Sequence, residues 1–142
     1  MREEFIYAPP LPDDAPLRLH LAGVSHCDGS YRIARGAQPI WVFEHVEKGM
    51  GVLRVGEREF HPGPGSFYIA PAWREHSYAA DAADPWTKHW MNVSGPLAGE
   101  VLRLYGLGQT WFFPAGRPGA RAAGRALLKA LAAMRRARPQ DA

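Results

Sequence analysis

The sequence predicts a mainly-β barrel followed by C-terminal α-helices. Three observations carry that expectation. Between Leu17 and Val93 there are eight or so short strand-like runs, separated by turn signals every several residues. Helical periodicity begins only after Gly95. Within the strand-rich stretch lies a unit of turn, short strand, proline bend and histidine. It starts with His61-Pro62-Gly63-Pro64-Gly65, where proline fixes φ and glycine permits positive φ, so the chain reverses sharply. The aromatic and β-branched run Phe67-Tyr68-Ile69-Ala70 suits a buried strand, Pro71 ends it, and His76 opens the next strand near a barrel mouth.

Taken in order, residues 1–16 carry four prolines (Pro9, Pro10, Pro12, Pro16) and read as an extended arm, neither strand nor helix. Phe5, Ile6, Tyr7 and Leu11 favour an arm that docks over a frayed terminus. Leu17-Arg18-Leu19-His20-Leu21 alternates with period two and is a half-buried strand, and Cys27-Asp28-Gly29-Ser30 turns the chain. Tyr31–Arg35 is a short strand; Ile40–Val46 is a strong one; Glu47–Gly51 is a turn. Val52–Val55 and Arg58–His61 flank Gly56-Glu57, a Gly-X pair that reads as a type II′ hairpin. A polar loop, 79–85, leads to the strand 86–93. Pro96 suits a first helical turn, and Leu97, Val101, Leu102 and Tyr105 recur at helical spacing until Gly106 and Gly108. Thr110–Phe113 is a short strand. From Ala120 to Arg136 a helix is clear: at about 100° per residue, Ala123, Leu127, Leu131 and Met134 share one side and Arg121, Arg125, Lys129 and Arg136 the other. The domain reading is therefore an arm, 1–16, a barrel, 17–95, and a helical segment packing on it, 96–142.

Composition bounds the function. Hydrophobic residues are 46% and charged residues 22%, which suits a folded globular chain. No apolar run approaches the roughly 20 residues of a spanning helix, and the first residues lack a signal-peptide core. Cys27 is alone, so no internal disulfide forms, and the expected location is cytoplasmic. Asn92-Val93-Ser94 fits a glycosylation sequon without a secretion signal to use it. Seven basic residues and one acid fall in 117–142, a net +6 within an overall +3, so residues 1–116 carry −3. A nucleic-acid tail is one reading of that asymmetry; the wet side of an amphipathic helix is the one its segregation favours.

Catalytic arrangements are poor. His26 and Cys27 are neighbours on a chain whose successive side chains face opposite ways, and Gly49-Met50-Gly51 lies between strands, with no helix for a phosphate. A pocket is the better prospect. On the strand 86–93, one face carries Trp86, Lys88, Trp90 and Asn92, and the other Thr87, His89, Met91 and Val93. The first face offers flat apolar area, indole N–H groups and polar contacts. Trp86 stays open between plain core and pocket wall.

The spacing Gly65-x5-Pro71-x4-His76 resembles the second motif of the cupin superfamily, with Trp73 where cupins often have glycine. Together with 46–53, 64–71, His76-Ser77-Tyr78 and Asp84-Pro85-Trp86-Thr87-Lys88-His89-Trp90, it resembles the N-terminal ligand-binding domain of AraC-family transcription regulators over roughly residues 5–135. The resemblance implies a cupin-like or jelly-roll β-barrel that binds a small-molecule effector, a sugar or sugar acid foremost. It also implies a possible homodimer, and DNA contact only through a helix-turn-helix domain, which residues 96–142 do not contain. In an arabinose-responsive member the sugar contacts correspond to Trp90, Tyr78, Arg35 and Ser25, with Lys88 standing where that member has histidine. Its proline-containing arm corresponds to about Tyr7 to Pro12, including Pro9 and Pro10, and closes over the sugar. Arg35 plus Lys88 make the expected pocket more positive, which favours an acidic sugar or another carboxylate.

A small metal-dependent cupin enzyme, an isomerase or oxygenase, is the alternative, and a bare dimerisation module with a filled interior is a third. The first cupin motif needs two histidines and a glutamate, and here those positions hold Gly36, Gln38 and Val42. His76 is left as a single weak candidate ligand, rescued only if His45 and His61 both point inward; no metal, cofactor or catalytic residue is expected.

Overall fold

The computed structural model describes residues 1–137, so Arg138 and the end of the helical segment lie outside the described residues. Two antiparallel sheets face each other. The larger contains β1 (Arg2–Tyr7), β2 (Arg18–His26), β9 (Thr87–Ser94), β4 (Trp41–Lys48), β7 (Phe67–Ala70) and β10 (Phe112–Phe113), in that order. The smaller contains β3 (Arg32–Arg35), β8 (His76–Ala80), β5 (Gly51–Val55) and β6 (Arg58–Phe60). Helices α1 (Pro96–Leu104) and α2 (Pro118–Arg136) come after β9, as the periodicity predicts, with the short strand β10 between them. The mainly-β, cupin-like barrel with C-terminal helices is the observed fold.

Alternation decides which side chains fill the barrel. On β4, Val42, Glu44 and Val46 are buried inward, while Trp41, Phe43 and His45 are half-buried on the outer face. The interior core gathers Val42, Val46, Leu53, Tyr68, Trp86 and Trp90. A second core forms outside the larger sheet, where Ile69, Met91 and Val93 meet Ala120, Leu127, Leu131 and Met134 of α2. β9 is therefore buried on both faces, Trp90 toward the barrel interior and Met91 and Val93 toward α2. Arg121, Arg125, Lys129 and Arg136 lie exposed on the far side of α2.

The two-residue loop Gly56-Glu57 joins Val55 to Arg58, and Gly56 alone takes positive φ, +58°, as a type II′ turn requires. β2 runs on past Leu21 to His26 because β9 pairs with it along that whole length. The turn expected over Glu47–Gly51 shrinks to Gly49-Met50 for the same kind of reason, β4 continuing to Lys48.

One expectation needs correction. The reading of residues 1–16 as an arm that is neither strand nor helix does not hold for Arg2–Tyr7. These residues form an edge strand paired residue for residue with Leu21–His26. All four prolines lie at Pro9 or later, so they constrain only the segment beyond the strand. Gly23 makes the pairing possible. A Cβ there would stand 2.2 Å from the Glu4 carbonyl oxygen and 3.0 Å from the Trp90 ring.

Candidate functional site

A cavity of about 260 Å³ opens between the two sheets near β1. Its walls bring together Ser25, Arg35, Tyr78 and Trp90, four of the eight residues expected to bind ligand. Asn92, on the same face of β9, also lines it. Each wall residue sits where strand parity sends it: Trp90 pairs across β9–β2 with Gly23 and across β9–β4 with Glu44.

The polar groups are tied to the N-terminal strand. The Trp90 indole N–H donates to Ser25 Oγ at 2.8 Å, and that hydroxyl donates to Glu3 Oε2 at 2.7 Å. Phe5 meets the Trp90 ring edge-on at 6.1 Å. Met1, Glu3 and Phe5 all line the cavity, so β1 is one of its walls.

The other four expected residues do not line it. Pro9 and Pro10 lie beyond β1, away from the cavity walls. Trp86 is fully buried in the barrel interior, its indole N–H donating to the Pro62 carbonyl at 2.9 Å. Its ring fills space left by Gly51, where a Cβ would lie 2.0 Å away. Lys88 is fully buried, on the same inward face. Its Nζ donates to Glu44 Oε1 at 2.8 Å and to Tyr68 Oη at 3.1 Å. Four rings enclose it: Tyr78 at 4.3 Å, Tyr31 at 4.7 Å, Trp86 at 5.1 Å and Tyr68 at 5.7 Å from Nζ to ring centroid. A buried ammonium needs a carboxylate, and Glu44 supplies one; losing either partner alone costs about 3–5 kcal/mol. The expected second positive charge in the pocket is thus already neutralised, and Arg35 is the side-chain cation that remains among the described lining residues.

Glu44 is the residue that sequence reasoning missed. It lines the cavity, is 1% exposed, and its Oε2 is buried with no hydrogen-bond partner. The signal was present: a glutamate at the inward position between Val42 and Val46. Arg35 Nη1 is also buried and unpartnered, and its guanidinium lies 5.9 Å from the Tyr78 ring centroid. Burial, with the Glu44 charge second, pushes the Tyr31 and Tyr78 hydroxyls well above the usual phenol range, so both stay protonated.

His76 Nδ1 lies 3.1 Å from the Arg74 carbonyl, and its ring stacks on Tyr78 at 4°. Since a carbonyl only accepts, Nδ1 carries the proton and donates it; Nε2 is buried without a partner. Burial holds this imidazole below its usual value. His45 faces outward beneath α2 and His61 is exposed, so neither joins His76. Among the described residues no group of three or more His, Cys, Asp or Glu could hold a metal ion. Val42 lines the cavity where the metal-binding cupins place their glutamate, so the residues present do not fit that metal. Cys27 is half-buried, its thiol pushed up to about 11, chiefly by burial.

A larger cleft of about 560 Å³ lies outside the sheet, between Phe43, Phe67 and Met91 and the Ala123 and Leu127 side of α2. No polar side chain among the described residues lines it, so it offers nothing to orient a polar ligand. No helix among the described residues is long and apolar enough to cross a membrane.

Comparison with known proteins agrees with this architecture. The chain is similar to the MmsAB operon regulatory protein of Pseudomonas aeruginosa, 33% identical over 72 residues, covering 48% of this chain and 24% of that protein. It is similar to the Msm operon regulatory protein of Streptococcus mutans, 24% identical over 95 residues, covering 67% of this chain and 34% of that protein. The chain thus spans about a quarter to a third of the length of these curated relatives. Among solved structures it resembles YhaK of Escherichia coli, with a TM-score of 0.54 at 10% identity over 66% of this chain and 45% of that one. It also resembles the cupin domain of Schizosaccharomyces pombe Cnp3, with a TM-score of 0.48 at 11% identity over 78% of each chain. Residues 18–142 match the family model described as the AraC-like ligand binding domain, and the chain belongs to that family.

Proposed function

We propose that this domain senses a small polar effector, a sugar or sugar acid, in the cavity between its sheets, and that β1 relays the binding event to a DNA-binding domain outside this chain. The observation that carries the reading is the convergence of Trp90, Tyr78, Arg35 and Ser25 on one cavity that the N-terminal strand also lines. Indole and phenol rings supply flat area for a sugar ring, and the guanidinium and hydroxyl supply its hydrogen bonds. A ligand touching Glu3 and Phe5 makes contacts that exist only while β1 is seated, so it shifts the population toward the seated strand. The proposal includes a cytoplasmic location and a homodimer in the full-length regulator, and no catalytic step.

The test is a thermal-shift screen of sugars and sugar acids, then titration of each hit against variants of Trp90. Trp90→Ala is expected to weaken binding by about 2 kcal/mol or more, roughly thirtyfold in Kd. Because it also empties part of the core, Trp90→Leu serves as the variant that keeps the fold. Unchanged affinity in either folded variant rejects the cavity as the effector site.

A further inference from the structure

We propose that the effector is a hydroxylated carboxylate of monosaccharide size, and that Glu44 and Arg35 select it from opposite walls. Glu44 stands on the larger sheet and Arg35 on the smaller. This rests on the barrel cavity being the effector site.

Each wall presents one buried polar atom with nothing to bond. Glu44 Oε2 is one and Arg35 Nη1 the other. An unmade bond at a buried polar atom is expensive, so native proteins leave one mainly where something else completes it. The two atoms ask for opposite things. As the anion of an ion pair, Glu44 only accepts; its Oε1 is taken by Lys88, and Oε2 requires a donor. A ligand ammonium is a poor donor there, because it would approach a carboxylate that already holds the Lys88 ammonium at 2.8 Å. A hydroxyl meets no such repulsion.

Arg35 only donates. Among the described residues no carboxylate lies within ion-pair distance of it, and, unlike the exposed arginines that also lack one, its Nη1 is withdrawn from water. A guanidinium partly withdrawn from water, with a free N–H and no counter-ion, matches a carboxylate in charge and in its forked geometry. Glu3 is the opposing charge in the cavity, but it is engaged with Ser25 on the larger sheet, across from Arg35. The cavity, about 260 Å³, suits a ligand of about one monosaccharide unit. Lys88 is the positioning residue. Caged by four rings, it fixes the Glu44 carboxylate so that Oε2 is the oxygen left for the ligand.

The experiment is calorimetric titration of the chain with three sets of probes. The sets are hexuronates and hexonates, the parent neutral hexoses, and cyclohexanecarboxylate, which keeps ring and charge but has no hydroxyl. At least one hydroxy acid should bind about tenfold or more tighter than its neutral parent and than cyclohexanecarboxylate. Arg35→Gln should erase the preference over the neutral hexose. The double variant Glu44→Met with Lys88→Met removes both buried charges and the acceptor oxygen together, so the fold is expected to survive where a single change leaves one charge stranded. It should erase the preference over cyclohexanecarboxylate. Neutral hexoses binding as tightly as the acids, no binding by any hydroxy acid at millimolar concentration, or an unaltered preference in the folded double variant would overturn the proposal. The Trp90→Leu variant separates the two failures. A ligand that loses affinity there but ignores the double variant leaves the cavity standing and removes Glu44 from it; one that ignores Trp90→Leu binds elsewhere.

Discussion

Trp73 occupies a backbone position that suits glycine. Its φ is +62°, in the left-handed region, and the side chain is 67% exposed. For a bulky residue that conformation costs on the order of 1–3 kcal/mol, little of it recovered by burial. Trp73→Gly is therefore expected to be neutral or to stabilise the fold by up to about 1 kcal/mol, the relief of strain being partly offset by the freer unfolded chain. A urea midpoint that falls clearly instead would mean the exposed ring makes a contact the fold depends on. The oddity was visible in the sequence as a departure from the cupin spacing; its cause, a positive φ, was not. The cavity residues show a similar division. Strand parity on β9 put Trp90 and Asn92 on the right face, because a period of two survives whatever the strand packs against. Parity could not tell Lys88 from a ligand group. That depends on Glu44, 44 positions away along the chain and adjacent only once β4 and β9 pair.

At the scale of elements, α2 was the most legible. Its apolar and basic faces separate cleanly in the sequence, and the sheet covers the apolar one. What the periodicity hid was its closest contact. Gly124 lies against His45, where a Cβ would stand 2.5 Å from the imidazole Cδ2, so a glycine in mid-helix is the space the ring occupies. Burial first, and the neighbouring His89 second, hold His45 below the usual 6.5, with Glu47 pulling weakly the other way. The native ring is thus neutral where the unfolded one begins to take a proton. Its contribution to stability is complete above 6.5 and drains away as pH falls through the lower native value. Urea midpoints measured from about pH 8 down to about pH 5 should fall in the lower half of that range, and His45→Gln should flatten part of the slope. A variant with the full wild-type slope would assign the loss to other groups, His76 first among them, since its imidazole is also held low by burial. β1 was the least legible element. Proline content coloured the whole of 1–16, while the alternation of Glu3 and Phe5 against Ile6 was too short to outweigh it.

At the scale of the whole molecule, the N-terminal strand is both the edge of the larger sheet and a wall of the cavity. Amide exchange over Arg2–Tyr7 should therefore slow when the effector binds, while β4 and β9 change little. Exchange in β1 that ignores a bound ligand would rule out the strand as a relay. The same sheet order has a consequence in time. β2 lies between β1 and β9, and β9 ends at Ser94, so strands separated by more than sixty positions must meet before the larger sheet can close. Pairings that distant form slowly, over roughly milliseconds to seconds in small β-rich domains. As the chain leaves the ribosome, β1 and β2 can form only a hairpin whose other edge is bare, an open template for another chain until β9 arrives. Within this domain, the strand proposed to contact the effector is synthesised before β9, the strand on which closure of its sheet depends.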